Sequence, residues 1–162
     1  MYTVGIITAS DKGSKGQRED LSGKAIKDIV ASKGYKLLRQ VIVPDEEDEL
    51  IKEMKYMADE LKIDLILTTG GTGFSKRDVT PEASMKVFTR QAPGIAEAIR
   101  YYSLSITPRA MLSRAVSGIR NDTLIINLPG SPKAVKEALE YAIDSIEHGL
   151  GILTGKENEC AR

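Results

Sequence analysis

The chain of 162 residues has little cysteine, few aromatic side chains and no excess of charge of either sign. Its one cysteine, Cys160, cannot form an internal disulfide and fits a reducing compartment, so we expect a cytoplasmic location. Tryptophan is absent and phenylalanine occurs twice, so aromatic stacking platforms for single-stranded nucleic acid are missing. The 23 basic and 23 acidic residues balance, so no overall field attracts nucleic acid or membrane, and any anionic ligand needs a local site.

Long hydrophobic runs are also absent. The longest apolar stretches, such as residues 4–7 and 124–126, are far too short to span a bilayer, and the chain starts directly with a predicted strand. The length is typical of one domain, and no internal repeat, low-complexity linker or change in composition divides the chain. We therefore predict one domain at residues 1–153, a polar C-terminal tail at residues 154–162, and neither a nucleic-acid nor a membrane partner.

Strand and helix patterns alternate along the sequence. Apolar runs rich in β-branched residues predict strands at residues 2–9, 36–43, 64–69, 115–119 and 123–128. Helical spacing of apolar residues predicts helices at about residues 20–34, 45–61, 80–88, 94–104 and 132–150. The first helix has a candidate N-cap at Asp20 or Ser22. This alternation predicts an α/β fold with a single doubly wound, mostly parallel sheet and helices on both faces.

Ligands of such sheets bind beyond the carboxyl ends of the strands. Four segments follow predicted strand ends, and they cover residues 10–16, 44–45, 70–80 and 128–132. The first is polar and contains glycine, so we expect a mobile loop there.

The segment between the last two predicted strands is less regular. Residues 120–122 favour either a hairpin or a strand entered from a short extended piece.

A glycine turn follows the third predicted strand. Its three glycines permit positive φ and close approach of the backbone, so successive N–H groups can form an anion site to which threonines add hydroxyl donors. No P-loop sequence occurs, and Lys76 stands where a dinucleotide fingerprint requires its third glycine. We expect this turn to bind phosphate through Thr69, Gly70, Gly71, Thr72 and Gly73.

Asp78 comes five residues after the last of these glycines, next to Arg77 and the start of a predicted helix. Bound phosphates would repel a carboxylate, so its position makes sense if it holds Mg²⁺, which proteins bind through few carboxylates plus phosphate oxygens. Alternatively, Asp78 only caps the next helix, although Thr80 is placed to serve as that cap. We favour the role as a magnesium ligand.

Residues 68–83, TTGGTGFSKRDVTPEA, closely resemble the MogA/MoaB family of molybdenum-cofactor biosynthesis proteins, which is related to the G domains of gephyrin and its plant counterpart. The likeness extends over nearly the whole chain. It includes Ser10-Asp11, Asp20-x-Ser22-Gly23, Pro44-Asp45, Pro93-Gly94, Leu112-Ser113-Arg114 and Leu128-Pro129-Gly130-x-Pro132.

The resemblance implies a molybdopterin-binding fold, a homotrimer, and transfer of an adenylyl group from Mg-ATP to the terminal phosphate of molybdopterin with release of pyrophosphate. Asp45 and Asp78 match the two aspartates implicated in the family's activity. Both follow predicted strands, where they could hold Mg²⁺ against ATP and organise the substrate phosphate. The alternative for Asp45 is an ordinary solvated helix start, because acidic residues follow it.

Other positions complete the expected substrate-binding set. Gly130 and Ser131 could present N–H and hydroxyl donors at the last helix, although Ser131 serves equally well as a simple N-cap. Lys76, Arg77 and Lys133 are candidate charge partners, or else solvated surface cations. The remaining substrate-binding candidates are Ser10, Asp11 and Thr80.

Apolar residues such as Ile95, Ile99 and Leu104, on a helix outside the sheet, add to the expectation of a homotrimer. A molybdate-insertion protein of the MoeA type is a further expected partner. Two alternatives remain open. The chain could be a carrier or scaffold that binds molybdopterin without turning over ATP, as its MoaB-like compactness permits, or a MoeA-type insertion domain, which normally belongs to a much longer chain.

Overall fold

The computed structural model describes residues 1–157, so Cys160 and the end of the predicted polar tail lie outside the described residues. The strands are β1 (Thr3–Ala9), β2 (Lys36–Val43), β3 (Leu65–Thr69), β4 (Arg90–Gln91), β5 (Ser117–Arg120) and β6 (Thr123–Leu128). The helices are α1 (Asp11–Ser14), α2 (Leu21–Ser32), α3 (Glu47–Lys55), α4 (Thr80–Val87), α5 (Pro93–Leu104) and α6 (Pro132–Leu153). A π-helical turn at Tyr56–Glu60 continues α3, and a 3-10 helix at Pro108–Leu112 follows α5.

The six strands form one sheet in the order β2-β1-β3-β6-β5-β4. The first four strands of this order are parallel, whereas β5 and β4 run antiparallel to their neighbours. The predicted mostly parallel sheet is therefore confirmed, and residues 120–122 form the hairpin that was one of the two alternatives. From β1 the chain moves outward to β2 and then returns to β3 on the other side of β1. A crevice opens at such a reversal, beyond the carboxyl ends of β1 and β3.

Helices cover both faces of the sheet, as predicted, because its central strands are apolar on both sides. On one face α2, α5 and α6 bury side chains such as Ile26, Ile99 and Leu139 against β1, β3 and β6. On the other face α3 and α4 bury Leu50 and Val87 against the same strands. No helix within residues 1–157 combines the length and apolar character needed to cross a membrane.

Two local expectations were wrong. Residues 11–14 form the short helix α1 instead of a mobile loop, because the Ser10 hydroxyl accepts a hydrogen bond from the Gly13 N–H at 2.9 Å and caps it. Thr80 does not cap α4, since it is the first residue of that helix. Its buried hydroxyl instead donates to the Gly70 carbonyl at 3.0 Å and so joins the helix to the glycine turn.

Two of the three apolar residues expected to support a trimer pack into the core instead. Ile99 is 5% exposed and belongs to the core, and Ile95 packs against that core. Leu104, at the end of α5, is exposed. Together with Leu104, the exposed apolar side chains of this region lie on α5 and in the segment after it, at Tyr101, Ile106, Met111 and Leu112.

Tyr35, just before β2, buries a hydroxyl group whose effect on stability can be measured. Its ring packs edge-on against Tyr2, but its buried hydroxyl has no hydrogen-bond partner. Burial, with a smaller contribution from Glu147, raises the pKa of Tyr35 to about 12. We expect Tyr35→Phe to stabilise the fold by about 1 kcal/mol at neutral pH, because it removes an unpaired buried hydroxyl.

The same substitution should change the alkaline stability. The folded state holds the Tyr35 proton more tightly than the unfolded state, so wild-type stability falls as pH rises from about 10 to about 12. Tyr35→Phe should reduce that fall in pH-dependent urea denaturation, with Tyr101→Phe, at an exposed tyrosine, as the control. Identical alkaline profiles for wild type and Tyr35→Phe would contradict the assignment.

Candidate active site

A cavity of about 540 Å³, here called the basin, lies beyond the carboxyl ends of β1 and β3. The ends of these strands, the start of α2 and the loop before α6 form its walls. Of the sequence-predicted site residues, the basin is lined by Ser10, Asp45, Thr69, Gly70, Gly71, Asp78 and Gly130. Residues that are far apart in the sequence thus meet where the topology reverses.

The glycine turn is held in one conformation. Gly70 and Gly71 have φ values of 87° and 69°, which L side chains rarely adopt. The Thr69 hydroxyl donates to the Pro129 carbonyl at 2.6 Å, and the Thr80 N–H donates to the Gly71 carbonyl at 3.1 Å. These bonds attach the turn to the loop after β6 and to the start of α4.

Asp45 is not a simple solvated helix start, because α3 begins two residues later and has Glu46 as its N-cap. Its carboxylate accepts from the Asp11 N–H at 2.9 Å, and its own N–H donates to the Asp11 carboxylate at 3.0 Å. Burial raises the pKa of Asp45, and the nearby charges of Asp11 and Asp78 raise it further. This half-buried carboxylate therefore lies in a site where another negative charge is unfavourable and a cation is favourable.

Asp78 does not cap the next helix either. The N-cap of α4 is Val79, which makes no side-chain capping bond, while the Asp78 carboxylate accepts from the Ser75 N–H at 2.9 Å. A Cβ atom on Gly73 would lie only 3.0 Å from an Asp78 carboxylate oxygen. The last glycine of the turn therefore leaves room for the carboxylate at the basin.

Arg77 bridges two other segments at the rim. Its guanidinium donates to both carboxylate oxygens of Asp11, at 3.0 and 2.9 Å, and to Glu46 at 2.7 Å. The hydrogen bonds from Arg77 lower the pKa of Asp11, with a further contribution from the Asp45 N–H. Of the other two candidate cations, Lys76 is exposed and Lys133 pairs with Glu137 along α6 at 3.9 Å.

Several predicted site residues do not line the basin. Thr80 and Thr72 are buried and support the turn from within the fold, and Gly73 adjoins Asp78. Asp11 reaches the site only through Asp45 and Arg77. Ser131 is the N-cap of α6, where its hydroxyl accepts from the Ala134 N–H at 3.2 Å.

Sequence reasoning missed a second wall, formed by the start of α2. Asp20 accepts from the Thr8 hydroxyl at 2.7 Å and, as the N-cap, from the Gly23 N–H at 2.8 Å. The Ser22 hydroxyl donates to the Gly130 carbonyl at 2.7 Å and joins this wall to the loop before α6. The family-like run Asp20-x-Ser22-Gly23 was the available signal, but its capping role alone did not indicate the basin.

The carboxylates of the basin fit a hard divalent cation shared with a phosphate ligand. Among residues 1–157, no group of three or more histidine, cysteine, aspartate or glutamate side chains is arranged to hold a metal by itself. Asp45 and Asp78 nevertheless face one cavity beside the glycine turn. Two carboxylates completed by phosphate oxygens are the coordination that Mg²⁺ commonly takes in proteins.

Comparison with known proteins gives the same family as the sequence resemblance. Residues 5–148 match the family described as a probable molybdopterin binding domain. A molybdopterin adenylyltransferase of Helicobacter pylori strain J99 is 46% identical over 156 residues, which cover 94% of this chain and 88% of the relative. The molybdopterin adenylyltransferase of Escherichia coli K12 is 39% identical over 154 residues, covering 91% of this chain and 78% of that protein.

A solved structure is equally similar. The molybdopterin biosynthesis enzyme MoaB of Thermus thermophilus superposes with a TM-score of 0.91 at 45% identity, covering 98% of this chain and 100% of that one. The two proteins therefore share one fold over almost the whole of both chains.

Proposed function

This chain belongs to the molybdopterin-binding domain family of molybdenum-cofactor biosynthesis proteins, and from that premise we infer that its basin is the site of adenylyl transfer. The protein is a molybdopterin adenylyltransferase, a nucleotidyltransferase whose substrates are molybdopterin and ATP. The observation that supports this site best is the pair of carboxylates, Asp45 and Asp78, in one cavity beside a glycine turn that is hydrogen-bonded to its surroundings.

The reaction exchanges one phosphoanhydride for another. An oxygen of the terminal phosphate of molybdopterin attacks the α-phosphorus of ATP, and the bond from that phosphorus to the bridging oxygen of the β-phosphate breaks. Adenylyl-molybdopterin forms and pyrophosphate leaves with the electron pair of the broken bond. Because both reactants are anions, the site must offset repulsion and hold the two phosphates in line.

The chain's own groups meet these needs in different ways. N–H groups of the glycine turn and the hydroxyl of Ser10 are the proposed phosphate donors. Asp45 and Asp78 would hold Mg²⁺, which when bound offsets negative charge on the nucleotide phosphates and the leaving pyrophosphate. Asp11 keeps Asp45 in place through their reciprocal bonds.

We also propose an oligomeric state, a partner protein and a cellular location. A homotrimer is supported by the exposed apolar side chains on α5 and after it, because such surface on one segment marks protein contacts. A MoeA-type molybdate-insertion protein is the proposed partner, since it would take over the adenylylated product. A cytoplasmic location fits the need for ATP and the presence of only one cysteine in the sequence.

The function is tested by pyrophosphate release from purified protein given molybdopterin, ATP and Mg²⁺. Release should require both substrates and stop when the divalent ion is chelated, while light scattering should give the mass of three chains. Tight molybdopterin binding without pyrophosphate release would favour the carrier instead. A monomer at micromolar concentration would contradict the trimer.

A further inference from the structure

The side chain of Arg114, in the segment before β5, holds both ends of the loop that carries Asp78. Its Nε donates to the Gly73 carbonyl at 2.8 Å, and one terminal nitrogen donates to the Asp78 carbonyl at 2.8 Å. The other terminal nitrogen pairs with the carboxylate of Glu82 on α4. One guanidinium thus connects the end of the glycine turn, Asp78 and the following helix.

The backbone around Arg114 strengthens this connection. The Arg114 N–H donates to the Thr72 carbonyl at 2.8 Å, so main chain as well as side chain contacts the glycine turn. Arg100 on α5 donates to the carbonyls of Ser113 and Ala115, on either side of Arg114, at 3.0 and 3.2 Å. The guanidinium therefore projects from a segment that is itself attached to α5.

The loop at residues 74–77 has few other supports. All four residues are exposed, and Phe74 is 70% exposed, so the loop buries little apolar surface that could fix it. Within the loop, Ser75 and Asp78 bond to each other. Toward the rest of the fold, Arg77 attaches it to Asp11 and Glu46 at the rim. The Arg114 contacts hold it at its two ends.

From these contacts we propose that Arg114 is a positioning residue, which sets the place of the Asp78 carboxylate by clamping both ends of the loop. It touches no reacting atom in this scheme and acts through Asp78. The proposal rests on the proposed adenylyl transfer for its effect on rate, but not for its effect on the loop.

The chemistry of the clamp requires arginine. A planar guanidinium directs several N–H donors in fixed directions and can contact two carbonyls and a carboxylate at once. A lysine at this position keeps the charge but has a single ammonium group, which cannot reach all three acceptors in the same geometry. Arg114→Lys should therefore loosen the loop while retaining charge near Glu82.

Arg120 provides a matched control at the opposite end of the sheet. Its guanidinium likewise contacts a carboxylate and the backbone, donating to Asp59 at 2.9 and 2.7 Å and to a single carbonyl, that of Val87, at 3.0 Å. Arg120→Lys removes a similar arginine clamp without touching the loop. The two variants should lose similar thermal stability.

The first measurement is limited trypsin digestion of the full chain, with mass spectrometry of cuts after Lys76 and Arg77. Arg114→Lys should be cut there at least about tenfold faster than wild type and Arg120→Lys, because cleavage requires local opening of the loop. Equal cleavage in all three proteins would overturn the clamp.

The second measurement is steady-state turnover. Arg114→Lys should lower kcat at least about tenfold, since misplacement by about 1 Å is enough for such losses, while KM for ATP stays within about threefold and Arg120→Lys remains normal. Faster loop cleavage with normal kcat would overturn the positioning role. If wild type has no turnover, the proposed function fails, and the proteolysis result still decides whether Arg114 clamps the loop.

Discussion

Replacing Asp78 with asparagine is expected to lower the rate of adenylyl transfer at least about a hundredfold while leaving the fold intact. Asparagine keeps the shape of the side chain, and its carbonyl oxygen can still accept from the Ser75 N–H, so the loop keeps this hydrogen bond. Only the negative charge is removed. If that charge helps to hold the magnesium ion beside the nucleotide phosphates, charge that develops during transfer is no longer offset.

The loss should appear in kcat, because the glycine turn supplies its own donors and binding of the phosphates survives. The measurement is turnover of wild type and Asp78→Asn, with melting temperature recorded for each. Asp122→Asn, on the exposed turn between β5 and β6, is the control for the same chemical change outside the basin. Near-normal turnover of a folded Asp78→Asn protein would mean that the carboxylate serves only to shape its loop.

The second large effect is expected at Gly70, where alanine should destabilise the fold by about 3 kcal/mol and lower the melting temperature by about 10 °C. The φ of 87° is unfavourable for an L side chain. In addition, a Cβ atom would lie 2.5 Å from the carbonyl oxygen of Ala9, the last residue of the interior strand β1. Because that oxygen cannot move without disturbing the strand, the turn must shift instead.

Substitution of Gly34 distinguishes the cost of the positive φ from the cost of the close contact with Ala9. It has a similar φ of 75° but no atom within 4 Å of an added Cβ, so Gly34→Ala should cost only about 1 kcal/mol from backbone strain. The difference between the two variants in chemical denaturation measures the close approach of the glycine turn to β1. Equal destabilisation would show that the turn can relax away from the strand.

Much of the fold follows from local patterns. The central strands β1, β3 and β6 are apolar runs, and their burial by helices on both faces is what such runs predict. Asp20 was one of two candidate caps and indeed caps α2. A cavity beyond the carboxyl ends of the parallel strands also follows from the sequence, because these ends come together where the topology reverses.

The remaining features depend on contacts between distant parts of the chain. The helix α1 has only four residues, too few for a periodic pattern to be recognised in the sequence. Threonine is a common helix N-cap, yet the Thr80 hydroxyl donates to the Gly70 carbonyl because the fold places the glycine turn next to it. Arg114 acts on residues 36 to 41 positions away, and nothing in its neighbours indicates those partners.

The most direct test is a single-turnover experiment with wild-type protein in excess, molybdopterin, Mg²⁺ and ATP labelled in its α-phosphate. We predict that the label moves to molybdopterin while an equal amount of pyrophosphate is released, and that Asp78→Asn slows both events by the same factor. Labelled ATP that remains unchanged beside fully bound molybdopterin would contradict adenylyl transfer and leave the chain a pterin carrier.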